Sequence, residues 1–150
     1  MGFLELLDKN LIKVPLAAAN KDGVFEELID LLADNGKLLD RDQALQDVFA
    51  RELLGSTGLE RGIAIPHAKT AGVDSMVMAI GISPGGIDFE ALDGGDSKIF
   101  FMILASPKQA ASHIEVLSDI ARATKSNAMC RLLVNAADSA EVLELFEEED

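Results

Sequence analysis

His67 and His113 are the only imidazoles in the chain, and each stands where a side chain can act. His67 closes the run Gly62-Ile63-Ala64-Ile65-Pro66-His67, in which a short apolar stretch is stopped by a proline. His113 lies in Ser112-His113-Ile114-Glu115, which reads as the start of a helix. A neutral imidazole is nucleophilic near neutral pH and, once phosphorylated, is a good leaving group. A histidine can therefore both take and pass on a phosphoryl group, and His67 is the candidate acceptor.

Such chemistry needs groups that stabilise phosphoryl charge. The backbone N–H groups of a helix start are suited to this, and His113 is expected at the first helical position, where the dipole is positive. Arg51 offers a fork of donors to phosphate oxygens. It also sits in the last turn of an expected helix, where a cation complements the C-terminus, and that reading stands beside the first. Ser56 and Thr57 could add hydroxyl donors to the phosphate, or fix the tautomer of an imidazole. No metal or other cofactor is called for. The two histidines lie 46 residues apart without Cys or carboxylate at ligand spacing, so Asp74, Asp88 or Asp93 would have to be recruited arbitrarily. Cys130 falls in an apolar helical segment and reads as a core residue.

The elements that must position these groups follow from apolar periodicity. Phe3 to Leu7 makes a helical turn and Leu11 to Val14 a short strand. Val24, Phe25, Leu28, Ile29, Leu31 and Leu32 recur at helical spacing, with Asn20 as cap and Gly36 beyond the end. Asp40 with Gln43 opens a second helix, whose stripe runs through Ala44, Leu45, Val48 and Phe49 to Leu53. Ile63 to Ile65 reads as a buried strand with His67 at its carboxyl end, where ligand sites of α/β sheets collect. Met76 to Ile82 is a further strand turned by Pro84-Gly85-Gly86, and Ile87, Phe89 and Leu92 add an extended piece. Ile99 to Ala105, apolar on both faces, is the central strand. Ser112 with Glu115, Ser126, and Asp138 with Glu141 start three more helices.

The composition narrows the partners. One domain suffices for 150 residues. A net charge of −13, with seven Phe and no Trp or Tyr, excludes nucleic acid as a direct partner and favours a protein with a basic face. The terminal Glu147-Glu148-Glu149-Asp150 reads as a solvated tail. No apolar run approaches the roughly 20 residues of a membrane helix, and the first residues do not read as a signal peptide, so the expected location is cytoplasmic, without membrane insertion. A single cysteine suits a reducing compartment. Neither a Gly-x-Ser-x-Gly elbow nor a nucleotide phosphate loop is present.

The segment Arg51-Glu52-Leu53-Leu54-Gly55-Ser56-Thr57-Gly58, followed by Gly62-Ile63-Ala64-Ile65-Pro66-His67, resembles the signature of the enzyme IIA domain of fructose/mannitol type in the bacterial phosphotransferase system, including its nitrogen-regulatory branch. Ala105-Ser106-Pro107 and His113-Ile114 resemble the family's second histidine motif. Glu60-Arg61 and Ala68 depart from the usual pattern and alter the rim of the site. The resemblance implies a single α/β domain, with a mixed, mostly parallel sheet and helices on both faces. It implies phosphorylation of His67 by the histidine-containing phosphocarrier protein, with Arg51 and His113 in attendance. The phosphoryl group would pass to a IIB domain, or its presence would govern binding to regulatory target proteins.

Overall fold

Strand β5, Ser97–Ala105, is the axis of the sheet because its side chains are apolar on both faces. Ile99, Phe101, Ile103 and Ala105 enter one core, and Phe100, Met102 and Leu104 the other. All seven are 1 % exposed or less, and burying a side chain of Phe or Ile size contributes about 1.5–3 kcal/mol. The computed structural model describes residues 2–149, and of residues 110–113 and 149 the backbone alone.

The sheet order is β1 (Ile12–Lys13), β4 (Val77–Ile87), β5, then β2 (Ile63–Ala64), with β3 (His67–Lys69) also on β5. The β1–β4, β2–β5 and β3–β5 pairings are parallel, and the long β4–β5 pairing is antiparallel. The sheet is thus mixed and mostly parallel in its pairings, as anticipated. Helices α2 (Lys21–Asp34) and α3 (Arg41–Leu53) cover one face through Val24, Phe25, Leu28, Ile29, Leu32, Ala44 and Val48. Helices α1 (Phe3–Leu6), α4 (Ala110–Ala123), α5 (Asn127–Val134) and α6 (Ser139–Glu149) cover the other.

Several helix starts are fixed by side chains named in the sequence. Asn20 accepts from the Gly23 amide at 2.8 Å, Asp40 from Gln43 at 3.1 Å, Ser126 from Met129 at 3.1 Å and Asp138 from Glu141 at 2.9 Å. Each such cap is worth about 1 kcal/mol. Gly36, at φ +72, follows α2 in the left-handed conformation that ends many helices.

The structure corrects five local expectations. Pro84-Gly85-Gly86 does not end β4. The strand continues to Ile87 across an irregularity of register after Ile82, where Gly86 takes φ +81 beside Asp96. Leu53, read as part of the α3 stripe, is 87 % exposed, and Leu92 is also exposed. Helix α4 starts three residues before the Ser112–Glu115 signal, because Gln109 folds back on Ser106: its amide donates to the Ser106 carbonyl, and its Oε1 accepts from the Ser106 amide and hydroxyl. His113 is therefore the fourth helical residue rather than the first. The acidic end, read as a solvated tail beyond the last helix, instead continues α6 to Glu149, although Glu147 and Glu148 are exposed as a solvated run would be; Asp150 lies outside the described residues. Finally, Pro66 interrupts the edge strand without ending it. His67 begins β3, opposite Ile103, instead of closing β2.

Candidate active site

Helix α3 delivers Arg51 and Glu52 in its last turn, and the two side chains do different work. Arg51 Nη1 donates to the Gly55 carbonyl at 3.0 Å, satisfying a group just beyond the helix end. Glu52, its side chain 7 % exposed, is held by three donors. Its Oε1 accepts the Thr57 hydroxyl at 2.7 Å, and its Oε2 accepts the Thr57 amide at 2.9 Å and meets Lys21 Nζ at 2.7 Å. Lys21, in the first turn of α2, also lies 4.9 Å from the centre of the Phe89 ring.

Thr57 opens a small hairpin that returns at Ile65. The Ile65 amide donates to the Thr57 carbonyl at 3.0 Å, and Leu59 to Ile63 at 2.7 Å. Ser56 fastens the outside of this turn: its hydroxyl donates to the Phe89 carbonyl at 2.7 Å and accepts from the Gly58 amide at 3.0 Å. Gly58 has no room for a side chain, since a Cβ there would lie 3.0 Å from both the Ala91 Cα and the Phe89 carbonyl oxygen. Ser56 and Thr57, read as phosphate ligands, thus commit their hydroxyl protons to Phe89 and Glu52. Neither lines the cleft at His67.

The hairpin ends on the histidine. His67 Nδ1 lies 2.7 Å from the Ile65 carbonyl oxygen. A carbonyl only accepts, so the contact requires the proton on Nδ1, and the neutral ring carries its lone pair on Nε2. The ring is half-buried, and burial is the largest influence holding its pKa below the ordinary 6.5. Arg51 pushes in the same direction, while the Ile65 hydrogen bond and the Glu52 charge pull back. The balance favours the neutral, nucleophilic form at pH 7.

His67 opens onto a cleft of about 700 Å³ between α3 and α4. Asp47, Ala50, Arg51 and Leu54 line one side, Ile114 and Leu117 the other, and Lys69 stands two residues along β3. Residues two apart on a strand share a face, which puts the Lys69 stem beside the imidazole. His113 falls in the first turn of α4, on the wall that carries Ile114; its side chain lies outside the described residues. The structure therefore brings Arg51 and His67 to one cleft and sets the backbone of His113 across from them. Glu52 and Lys21 were not singled out from sequence. Glu52 was signalled only by its place in the Arg-Glu run, and Lys21 had no local signal. Among the described residues no three His, Cys, Asp or Glu side chains converge as a metal site would require. Cys130 packs in the core with its Sγ 3.3 Å from the Thr124 carbonyl, and burial raises its pKa.

The model of the family described as phosphoenolpyruvate-dependent sugar phosphotransferase system, EIIA 2, matches residues 5–149. The chain belongs to this family. As a IIA domain it is a component of a phosphotransferase. It is 36 % identical over 138 residues to the fructose-specific EIIA component of Haloferax volcanii, covering 92 % of this chain and 90 % of that protein. It is 34 % identical over 135 residues to the nitrogen regulatory protein of Pseudomonas aeruginosa, covering 90 % and 86 %. The fructose-specific EIIABC component of Bacillus subtilis matches over all of this chain at 35 % identity, yet the chain spans only 24 % of its length. Among solved structures, the nitrogen regulatory protein IIA-Ntr of Neisseria meningitidis superposes with a TM-score of 0.87 at 31 % identity, covering 95 % of this IIA domain and 97 % of that chain. The mannitol IIA of Escherichia coli, solved in complex with phosphorylated mannitol IIB, shares the fold with a TM-score of 0.82 at 22 % identity, covering 95 % and 97 %. No helix among the described residues of this IIA domain is long and apolar enough to cross a membrane.

Proposed function

We propose that this IIA domain carries a phosphoryl group on Nε2 of His67, taking it from the phosphohistidine of the histidine-containing phosphocarrier protein and passing it to a IIB domain. The observation that carries the reading is the 2.7 Å contact between Nδ1 and the Ile65 carbonyl, which assigns the lone pair to Nε2. In the forward step Nε2 forms a bond to phosphorus while the donor N–P bond breaks, and the donor imidazole keeps the electron pair. The ring nitrogen that has gained phosphorus becomes cationic, and the Ile65 carbonyl stabilises that charge at Nδ1–H. Arg51 stands in the same cleft to meet the phosphoryl oxygens, and His113 and the first turn of α4 complete the anion site. Ser56 and Thr57 serve the site through the hairpin they fasten. The net charge of −13 suits a basic donor face.

Incubation of the purified protein with the phosphorylated carrier protein tests this. The protein is expected to gain acid-labile, base-stable phosphate, and His67→Ala to abolish the gain; label that survives the substitution overturns the assignment.

A second reading takes the same phosphohistidine as a regulatory mark that changes which protein the domain docks on. The likeness to the Pseudomonas aeruginosa nitrogen regulatory protein favours it, because identity and coverage there are close to those for the Haloferax volcanii component. Transfer from the phosphorylated protein to a purified IIB domain separates the two. Rapid transfer supports the relay, and retention of the label supports the mark.

A further inference from the structure

Lys21 has no place in the phosphoryl chemistry, yet its side chain is mostly withdrawn from water and paired with an almost fully buried carboxylate. A buried pair of this kind gains little stability over an apolar alternative, so its contacts are the place to look for a role. They form a continuous path. Lys21 Nζ meets Glu52 Oε2 at 2.7 Å, and Glu52 binds both the amide and the hydroxyl of Thr57. The Thr57 carbonyl accepts the Ile65 amide at 3.0 Å, and the Ile65 carbonyl accepts His67 Nδ1–H at 2.7 Å. Each link fixes the peptide plane or side chain that makes the next.

We infer that Lys21 and Glu52 are positioning residues that set the tautomer and orientation of the His67 imidazole through Thr57 and Ile65. Without the ammonium, Glu52 is a buried charge short of a partner and turns toward water, releasing Thr57. The Thr57 carbonyl then holds Ile65 less firmly, and the carbonyl that keeps the proton on Nδ1 loses its fixed direction. Among the described side chains, the charged groups around the ring are Asp47, Arg51 and Glu52 on α3 and Lys69 on β3. Of these only Glu52 is bonded into the hairpin that carries the histidine. The inference rests on the proposed role of His67 for its significance, but its test does not require phosphorylation.

The experiment is ¹⁵N spectroscopy of the imidazole nitrogens in the unphosphorylated full chain, read above the pH at which the ring titrates. The wild type is expected to show Nδ1 protonated and Nε2 bearing the lone pair. In Glu52→Gln and in Lys21→Met the ratio of this tautomer to the other falls about tenfold, the worth of one ordinary hydrogen bond, and Lys21→Arg restores it. Thr57→Val, which removes only the hydroxyl link, falls between wild type and Glu52→Gln and keeps the test alive if the Glu52 variant does not fold. Wild-type nitrogen shifts in folded Lys21→Met, accompanied by nothing more than a lower melting temperature, would reduce the pair to a structural tie and overturn the inference. A wild-type protein that shows the Nδ1-protonated ring yet accepts no phosphate would instead count against the proposed function alone.

Discussion

The imidazole of His67 hydrogen-bonds the carbonyl of the residue two before it, with Nδ1 at 2.7 Å from the Ile65 oxygen. Because Pro66 lies between them, the strand breaks over Ile65 and Pro66 and the ring folds back along its own backbone. The chain that presents the proposed nucleophile thus also selects which of its nitrogens would attack. Phosphorylation is accordingly expected on Nε2. Nitrogen–phosphorus coupling in the labelled phosphoprotein checks this, and coupling to Nδ1 would contradict it.

Burial depresses the pKa of His67 below 6.5, the Ile65 hydrogen bond opposes it, and the Arg51 charge adds to the depression. The acid limb of the pH profile for phosphoryl uptake is expected below 6.5, and it moves upward in Arg51→Ala, where one depressing influence is gone. The same shift bears on folding. The unfolded chain takes up the histidine proton near 6.5 while the folded protein resists it, so this contribution to stability is present above 6.5 and is lost as pH falls toward the folded-state pKa. Urea titrations of wild type and His67→Gln across this window are expected to converge at the acid end. An acid limb above 6.5 in the wild type would refute the argument.

Ser56 illustrates a hydroxyl serving structure inside a functional motif. Its bonds to the Phe89 carbonyl and the Gly58 amide predict that Ser56→Ala costs about 1–2 kcal/mol in denaturant titration. Phosphate content at saturation is expected to remain that of the wild type. A variant of unaltered stability that no longer holds phosphate would return Ser56 to the role of ligand.

Gly72 brings the loop before β4 against the start of α3. A Cβ there would lie 2.6 Å from the Asp40 carbonyl oxygen and 3.1 Å from the Ala44 Cβ. The Gly72 carbonyl also accepts the Leu39 and Asp40 amides at 2.7 and 3.2 Å. Gly72→Ala is expected to destabilise the fold by about 1–3 kcal/mol, the usual cost of overpacking, as measured by urea unfolding. Unchanged stability would mean that the α3 start yields more readily than its capping contacts imply.

Much of this architecture was legible where the signal was local. The two-faced run of β5 and the stripe of α2 were read from spacing alone, as were the caps at Asn20, Asp40, Ser126 and Asp138. What escaped depended on partners distant in sequence or on competition between local signals. Pro84-Gly85-Gly86 reads as a turn until β5 supplies the pairing that makes it an irregular strand. Ser112 and Glu115 form a plausible helix start, but the Ser106–Gln109 turn acts first. The family resemblance in the sequence is what links His67, Arg51 and His113. The Lys21–Glu52 tie could not be read, because nothing in the spacing of α2 says which helix end its first lysine will meet.

Ile65 carries one last consequence. Between β2 and β3 its amide is taken by Thr57 and its carbonyl by the His67 ring. An open edge invites another chain to add a strand, and such addition is a common route to aggregation. Here the hairpin and the imidazole occupy both backbone groups that a foreign strand would need at Ile65, so the fold-back that orients the histidine also blocks strand addition at this residue.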